Sequence, residues 1–252
     1  MFMNLLGQNP ELGVTPTSGL YEVIGGMTSS WNQSHNVRAQ PRPDQQERLY
    51  NSIRGAILGW HSDKRYYMDK NRAWPQSYDL LKRVFPEGPK IVLIVRDLRG
   101  VCLSLEKRWR ASPEYHITAN PAMDSIEQRV QFWMNEPMIA VNLQLLRDHA
   151  RRGVLKDFFV LRYEDLTKSP QKVMKELYKY LGLEYFPHDF DNIRQLTHEH
   201  DPIHAPYGDH SISEGAIKPV DESWDRVLGP QVSNEIRKIN DWYYQTFYGN
   251  KK

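Results

Sequence analysis

A chain of 252 residues, 40% of them hydrophobic and 25% charged, carries enough apolar material for one sizeable core, and a single domain spanning residues 1–252 is expected. Thirty-three basic against 31 acidic residues leave a formal net charge of +2, which excludes the broad basic surface of a chain held mainly by nucleic-acid phosphates, so any anion it binds is held locally. The one cysteine, Cys102, rules out an internal disulfide and a cysteine metal cluster.

The opening "MFMNLLGQNP" reads as a helix, with Met1 and Leu5, then Phe2 and Leu6, at four-residue spacing before Gly7 and Pro10 end it. Residues 27–48 are polar, Pro-containing and aperiodic, and are expected to form a long surface loop. Helical spacing returns with Leu49, Ile53, Ile57 and Trp60, and "SYDLLKRVFPEGPK" is a short helix whose Pro/Gly turn feeds the buried strand "IVLIV". One long helix is expected from Ser125 to about Ala150, with Val130, Trp133, Met134, Met138, Val141 and Leu145 at helical spacing. "FFVLRYEDL" is a second buried strand, and "SPQKVMKELYKYLGL" is a helix with Ser169 as cap, Pro170 in its first turn and Gly182 as terminator. A polar stretch, 197–229, is too long for an ordinary connection, and an amphipathic helix from about Pro230 to Phe247 closes the chain. Helix, turn, buried strand, helix is the pattern of an α/β fold with a parallel sheet. No stretch approaches the roughly 18 to 20 apolar residues of a membrane-spanning helix, and the N-terminus lacks the features of a signal peptide, so a soluble, cytoplasmic chain is expected.

The stretch "KIVLIVRDLRGVCLSLEKRWR" turns abruptly from an apolar run to basic residues. Ligands of parallel sheets sit beyond the carboxyl ends of the strands, where Arg96 stands. With a helix starting near Leu98, Ser104 and Arg108 share a face and Val101, Leu105 and Trp109 form the neighbouring buried one. Two guanidinium forks and a hydroxyl suit the oxygens of a phosphate. The alternative from the residues alone is an Arg96 paired with Asp97 or another carboxylate, and an Arg108 on a solvated face.

"VRDLRGVCLSLEKR" resembles the 3′-phosphate-binding segment of the sulfotransferases that use 3′-phosphoadenylyl sulfate (PAPS), with an Arg, a Ser eight residues on and an Arg four beyond. "NLLGQNPELGVTPTSGL", "MDKNRAW" and "LRYEDLTKSPQKVMKELYKYLGL" resemble further segments of that family in the same order, nearest to the tyrosylprotein sulfotransferases and their bacterial and viral relatives. The resemblance implies a three-layer α/β sandwich with a central parallel sheet, related to the P-loop NTPases, that moves a sulfonate from PAPS to a hydroxyl or amine acceptor without a metal. It implies that Arg96, Ser104 and Arg108 hold the 3′-phosphate, that Tyr163 approaches the nucleotide, and that "ISEGAIKPVD" is the loop that closes over it with Ser213 and Lys218 as polar contacts. Lys70 in "YMDKNRAW" matches the lysine that touches the transferred sulfonate, where a fixed ammonium stabilises charge building on the leaving oxygen.

Two departures qualify that likeness. The family's acceptor base falls in a region that reads "VTPTSG" here, with only Thr15, Thr17 and Ser18, so that Glu22, His35 or His61 is left as a nearby candidate. The family's strand and Gly-containing loop before the first helix, which cradle the 5′-phosphosulfate, have no counterpart, and an N-terminally truncated form or a degraded relative is expected. A non-catalytic relative that binds PAPS, or the desulfonated bisphosphate PAP, is therefore one rival. A metal-dependent hydrolase built on His198, His200, Asp201, His204, Asp209 and His210 is the other.

Overall fold

The strand "IVLIV" and the strand "FFVLR" pair with each other in a computed structural model of the chain, which describes residues 1–61, 63–111, 123–200 and 211–249. The chain divides into two compact units, one of Met1–Lys90 with Phe186–Ala216 and the other of Ile91–Tyr185 with Ile217–Lys252.

In the first unit, helix α1 (Phe2–Leu6) leads to β1 (Leu12–Val14), which runs parallel to β2 (Tyr66–Met68) in the register Leu12 with Tyr66 and Val14 with Met68. Between them lie α2 (Leu20–Gln33), α3 (His35–Ala39) and α4 (Gln45–Trp60), and after β2 a single 3₁₀ turn leads into α5 (Tyr78–Val84). The surface loop expected over 27–48 is mostly helix. Leu20 and Ile24 are buried against Leu49, Ile53 and Val84, with Met27 and Trp31 packed at the edge of that cluster, so one apolar stripe continues beneath a polar composition. Ser34 then restarts the chain as α3, its hydroxyl accepting the Val37 N–H at 3.2 Å. Only the segment between Ala39 and Gln45 is a connection.

In the second unit, β3 (Ile91–Val95) pairs in parallel with β4 (Phe158–Arg162), Ile91 opposite Phe158 and Val95 opposite Arg162. The helices are α6 (Leu98–Ala111), α7 (Ile126–Asn135), α8 (Pro137–Arg151), α9 (Tyr163–Lys168), α10 (Pro170–Leu181), α11 (Trp224–Val227), α12 (Pro230–Ile239) and α13 (Asp241–Tyr248). The long helix expected over 125–150 is two helices, because Pro137 forces Glu136 out of the helical region to ψ 138°. Ser125 and Gln128 close a reciprocal capping box at the start of α7. The closing amphipathic helix is likewise interrupted, at Asn240. Gly182 ends α10 as expected, in the left-handed region at φ 76°. The core of this unit gathers Val95, Leu98, Cys102, Leu103, Trp133, Leu146, Trp224, Ile236, Tyr243 and Tyr244. Helix α6 thus buries Leu98, Cys102 and Leu103, while Val101, Leu105 and Trp109 are only partly covered.

The architecture is α/β with parallel pairing throughout the described strands, and the sheet expected from the sequence is present as two parallel pairs, β1 with β2 and β3 with β4. Among the described residues no helix is long and apolar enough to cross a membrane.

Candidate functional site

Both parallel pairs place sequence-selected residues at the carboxyl ends of their strands. At the end of β3, Asp97 caps α6: its Oδ1 accepts the Arg99 N–H at 2.9 Å, and its carbonyl accepts the Val101 N–H at 3.0 Å. The same carboxylate accepts from Arg99 Nε at 3.0 Å, Arg99 Nη2 at 2.7 Å and Tyr244 Oη at 2.9 Å. Burial pushes the Asp97 carboxyl up, but these donors outweigh it and hold it below the usual carboxylate range. Arg99 stacks over Trp224 at 4.3 Å and is part of the fold.

Arg96 is placed differently. Its Nε is buried and has no hydrogen-bond partner, and its guanidinium lies over the Tyr163 ring at 5.0 Å. The pairing with Asp97 that the sequence left open does not occur, since Asp97 is taken by Arg99. A buried guanidinium N–H left without an acceptor costs stability. Arg96 just before α6, and Gly100, Ser104 and Arg108 within it, follow one another in steps of four, with Ser104 exposed and Arg108, in the last turn, half-buried. No ion pair joins Arg108 to a described residue. Tyr163, the first residue of α9, thus meets Arg96 directly, while Ser104 and Arg108 share its side of α6. Lys218, in the segment before α11, is exposed, and three residues on Asp221 pairs with Lys107 of α6.

In the first unit, Lys70 stands two residues beyond β2. Its N–H donates to Thr15 Oγ1 at 2.8 Å, its carbonyl accepts the Ser18 N–H at 2.9 Å, and Asn71 Nδ2 donates to the Ser18 carbonyl at 2.9 Å. Thr15 and Ser18, unfit as bases, therefore hold the Lys70 backbone, a role no sequence signal separated from an ordinary loop. The Lys70 ammonium lies 3.9 Å from Glu199 Oε1. Burial lowers its pKa, Glu199 opposes that shift, and Arg72 adds to it.

Of the three nearby base candidates, Glu22 is exposed with Oε1 at 3.5 Å from Asn71 Nδ2. His61 binds Asp69 at 2.7 Å and stacks on Tyr67, while Asp69 also accepts Trp74 Nε1 at 2.6 Å. His35 sits on exposed α3, bonded to Arg38. Ser213 is exposed beside a short antiparallel bridge of Ile193 with Gly215, in a segment held by Gln195 through Ile212 and Glu214. Among the described residues no group of His, Cys, Asp and Glu has the placement of a metal centre. Of the candidate hydrolase ligands, Asp201, His204, Asp209 and His210 lie outside the described residues.

Comparison with known proteins bears on this geometry. Two curated proteins, the omega-hydroxy-beta-dihydromenaquinone-9 sulfotransferases Stf3 of Mycobacterium bovis and Mycobacterium tuberculosis, are each 28% identical over 152 residues, 59% of this chain. The chain spans 36% of the length of those relatives. Among solved structures, the sulfotransferase domain from the curacin biosynthetic pathway aligns over 95% of this chain and 92% of its own at 17% identity, with a TM-score of 0.46. The sulfotransferase domain from the Synechococcus PCC 7002 olefin synthase aligns over 99% and 90% at 14% identity, with a TM-score of 0.43. The model of the sulfotransferase family matches residues 1–187, which include both strand pairs, Lys70, Arg96, Ser104, Arg108 and Tyr163, and the chain belongs to that family.

Proposed function

We propose that the chain takes its sulfonate from PAPS and passes it to a hydroxyl or amine acceptor, with Arg96, Ser104 and Arg108 holding the 3′-phosphate of the nucleotide. The observation that carries the reading is the buried, unpartnered Nε of Arg96 at the carboxyl end of β3, beside an Asp97 already saturated by Arg99 and Tyr244. An orphaned donor of that kind fits a phosphate oxygen. Tyr163 supports the guanidinium from one face and borders the nucleotide, and Ser213 and Lys218 are the polar contacts of the late loop.

In the reaction the acceptor oxygen or nitrogen forms a bond to sulfur as the bond from sulfur to the bridging oxygen breaks. The acceptor's proton is lost, and negative charge collects on the departing phosphate of adenosine 3′,5′-bisphosphate (PAP). Lys70 stabilises that charge, and its backbone is held at N–H and carbonyl by Thr15 and Ser18. The Stf3 relatives are named for an omega-hydroxy-beta-dihydromenaquinone-9, which puts alcohol acceptors first among those to be tried.

The test is incubation of the protein with PAPS labelled in the sulfonate, against a panel of alcohols, phenols, sugars and amines, together with calorimetric titration of PAP and 5′-AMP. Label transfer and a marked preference for PAP are expected. Equal affinity for the two nucleotides would overturn the phosphate assignment, and PAP binding without transfer to any acceptor would leave a nucleotide-binding relative in place of an enzyme.

A further inference from the structure

The peptide group between Arg96 and Asp97 is held at both of its polar atoms. Its carbonyl accepts the hydroxyl of Tyr243 at 2.9 Å, and its N–H donates to Glu164 Oε1 at 2.8 Å. Glu164 is fixed in turn by the hydroxyl of Tyr248, which donates to Oε2 at 3.0 Å. Tyr243 and Tyr248 both belong to α13, and Tyr243 is 3% exposed. The Arg96 side chain leaves this pinned peptide and lies over the first turn of α6. A Cβ at position 100 would stand 3.3 Å from Arg96 Nε and 3.8 Å from Nη2, so the guanidinium occupies space that a glycine leaves open.

We infer that Tyr243 and Gly100 are positioning residues of the 3′-phosphate site, acting through Arg96. Tyr243 fixes the peptide from which the side chain springs, and Gly100 vacates the volume into which it folds. The inference rests on the reading of Arg96 as a phosphate-holding residue. Positioning matters here because the bonds a guanidinium fork makes to a phosphate are directional, and a displaced fork keeps its charge while losing them.

A double-mutant cycle tests it. PAP and 5′-AMP are titrated into wild type, Y243F, G100A, R96A and the pairs Y243F/R96A and G100A/R96A. Y243F and G100A are each expected to weaken PAP about five- to tenfold, to leave 5′-AMP within about twofold, and to have no further effect once Arg96 is gone. A loss that is equal for both nucleotides, that persists in the R96A background, or that is absent from both single variants overturns the inference. If Y243F does not fold, the G100A cycle decides, since it moves the same guanidinium without touching the tyrosine. R96A that leaves PAP affinity unchanged overturns the nucleotide reading itself, whereas a selective R96A with silent Y243F and G100A overturns this inference alone.

Discussion

Arg96 and Asp97 are neighbours in the chain with opposite employment, and replacing each by alanine exposes the difference. The Arg96 side chain has no hydrogen bond at Nε, and its ring contact with Tyr163 at 5.0 Å is worth about 0.5–2 kcal/mol. R96A should therefore cost about 1 kcal/mol of stability, a fall of about 2–4 °C in Tm for a chain of this size. Asp97 is 5% exposed and accepts from two Arg99 nitrogens and Tyr244. D97A strips a buried ion pair of its anion and should cost about 3–5 kcal/mol, or roughly 6–20 °C. Nucleotide binding should show the reverse emphasis. The loss of a charged hydrogen-bond partner to phosphate, about 1.5–3 kcal/mol, corresponds to about a 10- to 150-fold weaker Kd for PAP in R96A, with 5′-AMP little changed. Thermal melts by circular dichroism and calorimetric titration of the two nucleotides measure both effects. A Tm loss in R96A as large as that in D97A would refute the reasoning, because Arg96 would then be a structural residue.

In a preparation with measurable turnover, K70M should lower kcat about 10²- to 10³-fold with nucleotide Kd within about twofold, and an unchanged kcat would remove Lys70 from the chemistry. R129M should destabilise the protein by about 3–5 kcal/mol in urea unfolding, since Glu106 has no exposed side-chain surface and receives two bonds of 2.8 Å from Arg129. Burial pushes the Glu106 carboxyl up, but Arg129 and Arg110 outweigh it and hold it below the usual range. Its stabilising contribution is thus complete above the ordinary carboxylate pKa of about 4.3 and lost as pH falls through the lower folded value, an acid limb that R129M should flatten. Burial, reinforced by the negative charge of Asp97, pushes the Cys102 thiol up to about 12, so native protein at pH 8 should resist iodoacetamide and react only on unfolding, as mass spectrometry would show.

Those elements whose apolar residues are contiguous could be read from the chain alone. "IVLIV" and "FFVLR" are short apolar runs bounded by turn or charge signals, and they form the β3–β4 pair. The start of α6 near Leu98 was equally legible from its helical spacing, whereas Asp97, weighed only as a partner of Arg96, proves to be the residue that caps it. Polar composition hid α3 and the end of α2, where Leu20, Ile24, Met27 and Trp31 keep one stripe among Thr28, Ser29, Ser30 and Gln33. The three-residue strand β1 is too short to display a period. Arg96, Ser104 and Arg108 could be singled out as candidates because their spacing is local to one strand and one helix. The groups that hold Arg96 and Lys70 in place were not found, because Tyr243, Glu164, Thr15 and Ser18 reach them from distant stretches of chain, and a hydroxyl committed to a backbone carbonyl looks the same in sequence as one facing water.

The bond from Tyr243 to the Arg96 carbonyl joins positions 147 apart in the chain. At the usual pace of synthesis, about 5–20 residues per second, a ribosome needs roughly 7–30 s to pass from one to the other. Throughout that interval the residues of β3 and of the first turn of α6 have been joined to the chain, while the hydroxyl that pins their junction has not. Until α13 has been made, the peptide after Arg96 lacks the Tyr243 bond at its carbonyl and the Tyr248 bond that fixes Glu164 at its N–H. On the proposed reading of Arg96, a chain cut short before Tyr243 carries the arginine without the hydroxyl that sets it.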